Sequence, residues 1–409
     1  MALVRPFRAL RPEAAIARTV ASVPYDVVTT DEARALAAGN PLSFLHVSRS
    51  EIDLVPGADP YSEVVYATAA ANLERLRRDA PLVVEAVPSL YVYRLRQNGH
   101  EQTGLAACYS LNEYDLGTIR RHERTRPDKE NDRTRHLLAL RAQTGVVFLT
   151  YRSIPATEAV LAQGTRDEPL FDVHAPDGVR HTVWRLGSDR TTDAMSAFAT
   201  VPVLYIADGH HRIASAARAR DEFARAGVDG GSSEARFVLG VAFPDSETRI
   251  QAYNRTLDDL GGHTPQGLLE ALRARFPVRP NADPVPPPGQ VAMYLGGAWY
   301  AVELPPGVVG GRGNAAERLD VAVLQDQLLA PLLQVADIRT DPRVTFVGGV
   351  RGTSTLEHMV DTGIAAVAFS LAPVTADDLF AVSDSGGMMP PKSTWFEPKL
   401  RDGLLIHEI

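Results

Sequence analysis

The residues best equipped for chemistry stand in three short runs. The first is Asp208-Gly209-His210-His211-Arg212, which follows the apolar run VLYIA and leads into Ala-rich helical sequence. Open α/β sheets bind ligands beyond the carboxyl ends of their strands, and a helix N-terminus offers free backbone donors and the positive end of a dipole. Gly209 permits a sharp turn and lets a phosphate approach the main chain, and Arg212 can clamp the same phosphate through its planar fork. The plainer alternative is that Asp208 caps the helix and the histidines pack nearby. Adjacent histidines project about 100° apart on a helix, so they do not chelate a metal by themselves.

The second run is Arg120-Arg121-His122-Glu123-Arg124-Thr125, followed by Asp128, Lys129, Asp132 and Arg133. Cations around Glu123 favour its ionised form, which suits a general base towards a hydroxyl or a magnesium ligand. A solvated charged loop explains the same residues. The third run is Pro390-Pro391-Lys392-Ser393-Thr394-Trp395. Prolines stiffen the loop, and one cation with two hydroxyls makes an anion grip. It is not a Walker A loop, because the GxxxxG before the lysine is missing. A surface turn anchored by Trp395 is the alternative. Asn254-Arg255, Arg351-Gly352-Thr353 and Gly310-Gly311-Arg312-Gly313 are weaker candidates. Pro24-Tyr25-Asp26 could line a site, although a turn begun by proline accounts for it equally well.

The elements that must carry these residues follow from pattern. Around the first run, VPVLYIADGHHRIASAARARDEFARAG reads as strand, tight turn and helix. VVFLTYRS, ARFVLGVAFPDSE and TRIQAYNRTL supply further strands, and the charged segment after Gly117 becomes helical towards RHLLAL. Upstream, ASVPYDVV is a strand or extended turn before a helix capped by Thr29 or Thr30, with Asp31 and Glu32 favouring its first turn. YSEVVYATAAANLERLRRD is an amphipathic helix. Asn98-Gly99 between two alternating runs is a hairpin signal. Downstream, PNADPVPPPGQ and LPPGVVGGRGN read as surface loops. ERLDVAVLQDQLLAPLLQV is a long helix interrupted or ended near Pro331. RVTFVGGVRGTSTLEHMVDTGIAAVAFSL reads as strand, turn, helix and strand, and the chain closes on an apolar strand.

Composition bounds the function. At about 150 residues per domain, 409 residues allow two or three domains. A hydrophobic fraction of 45% with 22% charged residues fits a globular enzyme or binding protein and excludes a disordered, collagen-like or coiled-coil chain. The net charge of −8 lacks the basic footprint of a general nucleic-acid binder, so a small anionic ligand is the expected partner and DNA is not. Cys108 is the only cysteine, which excludes an internal disulfide and a cysteine zinc cluster and reads as a small buried hydrophobe. The longest apolar stretch, GIAAVAFSLAPV, is too short to span a bilayer, and MALVRPFRALRPEAA has no signal-peptide core. A cytoplasmic protein without membrane partners is expected.

In order, PYDVV, HExT, ADGHHR and PPKST resemble a bacterial and archaeal family known as domain of unknown function 1015 (DUF1015), over nearly the whole chain. The middle portion also resembles the free-serine kinases of the ParB/sulfiredoxin-like superfamily. In those proteins an HE-containing loop precedes a helix, a strand runs into DGHHR, and a PKTT-type loop lies near the C-terminus. The resemblance implies a mixed α/β (α+β) fold with a ParB/sulfiredoxin-like catalytic core. That core falls over residues 116–260, between an N-terminal lobe over 1–115 and a C-terminal α/β region over 261–409 whose tail loop returns to the site. Trp395-Phe396-Glu397 departs from the basic, imidazole-bearing stretch of the kinases, which bears on the acceptor more than on phosphotransfer.

What the resemblance implies is a kinase acting on the hydroxyl of free L-serine or a related hydroxy acid. Glu123 would be the catalytic carboxylate and Asp208 a second essential acid that holds Mg²⁺. Gly209, His210, His211 and Arg212 would receive the phosphates of ATP or ADP, and His122 and Thr125 the substrate, while Lys392, Ser393 and Thr394 would hold the substrate's side of the site or the phosphate of its product. Sulfiredoxin chemistry is not expected, because His210 stands where that enzyme needs its cysteine. Two other readings use the same phosphate cradle: a phosphatase or nucleotide hydrolase, and a non-catalytic nucleotide-binding switch of the ParB kind.

Overall fold

The computed structural model describes residues 3–227, 234–305 and 314–409. The chain divides into two compact units, one formed by Met1–Arg120, Thr125–Thr248 and Pro398–Ile409, the other by Arg121–Arg124 and Arg249–Glu397. By pattern the sequence divides near 115 and 260. Compactness divides it elsewhere because hairpin strands from residues 91–110 lie in the same sheet as strands from 147–151, 204–208 and 237–244.

The fold of the first unit is mixed α/β around a nine-stranded mixed sheet. Asn98 and Gly99, at φ 50° and 77°, make the turn that joins Tyr91–Gln97 to His100–Ser110, with Gln97 facing His100. Two positive φ values at the centre of a two-residue loop match the right-handed twist of the paired strands. Next to this hairpin run Phe237–Pro244, then Val147–Tyr151, Leu204–Asp208 and Ile119–Arg120. Val147–Tyr151 is buried at every position, as expected of a strand covered on both faces. Leu105, Tyr109, Val147, Leu149, Leu204 and Ile206 of these strands pack with Ile213 and Ala216 of the helix His210–Arg225. The helix Thr30–Ala37 begins in a capping box, Thr29 accepting from the Glu32 amide and Glu32 from that of Thr29. Before it, Tyr25–Val27 is a single 3₁₀ turn rather than a strand.

The second unit is built on a six-stranded antiparallel sheet. Its strand order is Val278–Pro280, Ala298–Glu303, Gln290–Leu295, Val367–Leu371, Tyr253–Leu257 and Val344–Gly348. The helix expected near Pro331 is segmented into Asp320–Leu324, a π-helical turn Gln325–Leu329 and Ala330–Leu333. Pro331 has no N–H for the carbonyl one turn back, and the wider turn just before it accommodates that gap. The apolar C-terminus forms only a short strand, His407–Glu408, paired with Ala142–Gln143. Gly310-Gly311-Arg312-Gly313 and most of its loop lie outside the described residues.

Candidate functional site

In the first unit the strand Leu204–Asp208 lies between Ile119–Arg120, parallel to it, and Val147–Tyr151, antiparallel, with its register shifted between Ile206 and Asp208. Gly209 then turns the chain at φ 100° and ψ 29° and occupies the N-cap position of the helix His210–Arg225. That left-handed conformation is open to glycine and strained for other residues. A Cβ here would also lie 3.4 Å from both Arg212 Cδ and Val147 Cα. The N-cap therefore carries no side chain, and the carboxylate of Asp208 accepts from Lys399 Nζ at 3.0 Å.

His210 is buried. His211 Nε2 accepts the Arg126 amide at 3.0 Å. Thr125 donates to Glu130 at 2.9 Å.

Arg212, expected to reach out to a phosphate, turns inward instead. One terminal nitrogen donates to Val146 O at 2.8 Å, and the other to both carboxylate oxygens of Asp26 at 2.8 and 2.9 Å. Burial disfavours its charge, but Asp26, Asp208 and Asp402 outweigh burial and hold its pKa above the ordinary arginine value. The guanidinium thus fixes the turn from within, and Asp26 takes the geometry anticipated for a ligand. Behind it lies a cavity of about 40 Å³ lined by Tyr25, Ser48, Arg133, Arg212 and Asp402, room for a few waters. Buried among these groups, Asp402 has its pKa pushed up to about 7, by desolvation first and by Asp26, against the opposing pull of Arg212 and Arg133.

In the second unit two of the three sequence runs meet. Met389 N donates to His122 O at 2.8 Å, and His122 Nε2 lies 3.4 Å from Thr394 Oγ1. This places the glutamate loop beside the lysine loop. Glu123 and Arg124 open onto a cavity of about 360 Å³ lined also by Gln325, Asp326, Pro390 and Pro391. Ser393 Oγ donates to Pro390 O at 2.6 Å, and Lys392 stands exposed at the crest with φ 57°. Of the weaker candidates, Arg351 and Gly352 are exposed and join a 3₁₀ turn to the helix Thr353–Asp361. Cys108 is buried within its strand, and burial raises its thiol pKa well above the ordinary value.

Sequence reasoning named Asp26 and Arg255 only as weaker candidates and left Lys399 and Asp402 without roles. The signal for Asp26 was the Pro-Tyr-Asp turn, and for Arg255 a guanidinium in the middle of a strand. Nothing local singles out Lys399 or Asp402.

A mixed α/β protein in which a sheet strand delivers an acid-glycine-imidazole turn to a helix is the class that fold and site define. The chain belongs to the family described as protein of unknown function (DUF1015), whose model matches residues 4–322. The lysine loop lies beyond the matched residues. No curated protein matches the chain. Among solved structures it is similar to a C-terminally truncated SbnI from Staphylococcus aureus, at 12% identity and a TM-score of 0.39, covering 74% of this chain and 87% of that one. A free serine kinase in complex with AMP is similar at 10% identity and a TM-score of 0.36, over 73% of this chain and 91% of the kinase. A conserved hypothetical protein from Pyrococcus furiosus is similar at 13% identity and a TM-score of 0.35, over 74% and 95%. No helix among the described residues is long and apolar enough to cross a membrane.

Proposed function

We propose that this chain is a nucleotide-dependent small-molecule kinase that phosphorylates the hydroxyl of free L-serine or a related hydroxy acid. The observation that carries the reading is the pairing of the glutamate loop with the lysine loop through His122, Met389 and Thr394, from opposite ends of the second unit's sequence. A carboxylate and an anion grip held together suit a hydroxyl acceptor that itself bears a charged group.

Phosphoryl transfer needs alignment and charge neutralisation more than covalent participation by the protein. Glu123 accepts the proton of the acceptor hydroxyl on its carboxylate. Lys392, Ser393 and Thr394 hold the anionic part of the acceptor or the phosphate of its product, with His122 beside Thr394. The backbone of Gly209, with His210 and His211, receives phosphates of ATP or ADP at the helix start, and Arg212 positions that turn through Asp26. Asp208 would hold Mg²⁺ in the turn, in competition with the Lys399 ammonium from which its carboxylate accepts. One carboxylate fits a cation whose other ligands are nucleotide phosphates and waters, since magnesium is seldom caged by protein alone. When bound, the cation would neutralise phosphate charge.

The test is a phosphorus NMR assay with ATP and with ADP against a panel of hydroxy amino acids and hydroxy acids. Phosphate-ester formation that disappears in Glu123→Gln is the expected result. A Glu123→Gln protein that works at the wild-type rate removes Glu123 from the base role. Phosphate release independent of any acceptor assigns the cradle to a hydrolase, and nucleotide binding with no turnover assigns it to a switch.

A further inference from the structure

Arg255 is fully buried in the middle of the strand Tyr253–Leu257, where its backbone pairs with Phe346 on one side and Phe369 on the other. Among the described residues no carboxylate forms an ion pair with it. One terminal nitrogen donates to Tyr253 O, the other to Lys392 O at 3.2 Å and Pro391 O at 3.4 Å, and the Phe346 ring lies 5.4 Å from the guanidinium carbon. Its Nε is buried without a hydrogen-bond partner among the described residues. Burial draws its pKa down to about 9, which leaves it charged at neutral pH. Carbonyls and a ring solvate a cation without neutralising it, and buried charges are ordinarily paired.

The carbonyls that Arg255 holds belong to the crest of the lysine loop. That crest carries Lys392 in the left-handed region, a conformation that persists in a non-glycine residue where its surroundings over-determine it. Here they do. Arg255 grips the crest from beneath, Ser393 closes it onto Pro390, and Met389 and Thr394 meet His122. Trp395 packs edge to face on Tyr253 and lies so close to Gly348 that a Cβ there would come within 3.0 Å of its ring. The crest is a rigid loop with one cation exposed on it and a second buried under it.

We propose that the unneutralised charge of Arg255, acting through the Pro391 and Lys392 carbonyls, is what makes the Pro390–Thr394 crest an anion site able to hold a phosphoryl group. Arg255 is a positioning residue there, and the bound group is a dianionic tetrahedral oxyanion, free phosphate or the phosphate of an ester. The proposal rests on the kinase reading only in placing ligand at Lys392–Thr394; it requires no transfer.

The experiment titrates inorganic phosphate, and separately a phosphate monoester, into the full chain by calorimetry without nucleotide, with thermal unfolding measured on each variant. Lys392→Met and Arg255→Met are each expected to weaken phosphate about tenfold or more, the scale of a charge-assisted contact. Arg255→Met also leaves the Tyr253, Pro391 and Lys392 carbonyls without their donor, so some loss of melting temperature accompanies it, and Arg255→Gln, which is neutral but keeps an amide donor for them, isolates the charge. Affinity lost in Arg255→Gln and kept in Arg255→Lys is a split that a purely structural arginine would not give. Arg255→Lys keeps the charge and should retain most of the affinity. Wild-type affinity in a folded Arg255→Met protein, or no phosphate binding by the wild type, overturns the proposal. If Arg255→Met does not fold, a folded Arg255→Lys protein that has lost phosphate overturns it equally. Phosphate binding with no kinase turnover removes the kinase reading and leaves the anion site. Turnover with unchanged phosphate affinity in Arg255→Met does the reverse.

Discussion

Arg212 and Asp26, 186 positions apart, meet through two hydrogen bonds at 2.8 and 2.9 Å, and this pair ties the Pro-Tyr-Asp turn to the first turn of the helix after Gly209. Arg212 is nearly enclosed, whereas a third of the Asp26 side chain remains exposed. The two partners therefore do not respond alike to removal. Losing Asp26 leaves a buried guanidinium without its counter-charge. Losing both leaves an apolar gap that costs less.

The first prediction follows from that asymmetry. Asp26→Ala should destabilise the protein by about 2 kcal/mol, reduced from the usual cost of breaking a buried pair because Asp26 is partly solvated. The Asp26→Ala/Arg212→Met double variant should recover part of that loss in urea unfolding. A double variant less stable than the sum of its two single variants would show that the pair is not what holds the turn.

Asp402 sets a second expectation, in pH. Its folded pKa of about 7 lies above the ordinary 3.8, raised chiefly by burial and next by Asp26, so the folded state holds a proton that the unfolded chain releases. Stability from this group is complete below about pH 4 and is lost as pH rises through 7, with about 4 kcal/mol as the upper bound. His136, whose pKa burial lowers to about 4, works in the opposite sense across part of that range, because the unfolded chain protonates it and the fold does not. The two contributions separate by comparing proteins. The stability of wild type relative to Asp402→Asn should fall between pH 5 and pH 8, read by urea unfolding at each pH. A difference that stays flat, or rises, would place Asp402 in its ionised form throughout.

These pairs also mark where the sequence stopped being readable. The hairpin at Asn98-Gly99, the Thr29–Glu32 capping box and the strand, glycine turn and helix from Leu204 to Arg225 are local. Each is specified by residues within a few positions of one another, so pattern and turn chemistry suffice. The acid for Arg212, the cation for Asp208 and the carbonyls for Arg255 come from 186, 191 and 136 or 137 positions away. Arg212 illustrates the consequence. Its residue type and place after Gly209 point to a ligand, and only the packed structure supplies Asp26 at the geometry a phosphate would need. The division into units was hidden for the same reason, since strand order in a sheet is a long-range property. The lysine loop was legible as an anion grip from its own residues, but the buried charge beneath it was visible only as an odd arginine in a strand.

Lys399 gives the remaining prediction. Its ammonium stands 3.0 Å from the Asp208 carboxylate, with both side chains mostly buried. A divalent cation at Asp208 must share or displace that ammonium, so the two compete for one carboxylate. Lys399→Met should lower stability by about 1 kcal/mol, as expected for a partly buried pair. Magnesium should then restore part of it, because the ion takes the place of the lost charge. The wild type, with Lys399 already in position, should gain less from the same ion. Melting temperatures of both proteins with and without magnesium chloride, each paired with an Asp208→Asn control that should abolish the gain, measure the difference. Equal shifts in the two proteins, or a shift that survives Asp208→Asn, would take the metal away from Asp208 and leave Lys399 there as the turn's own cation.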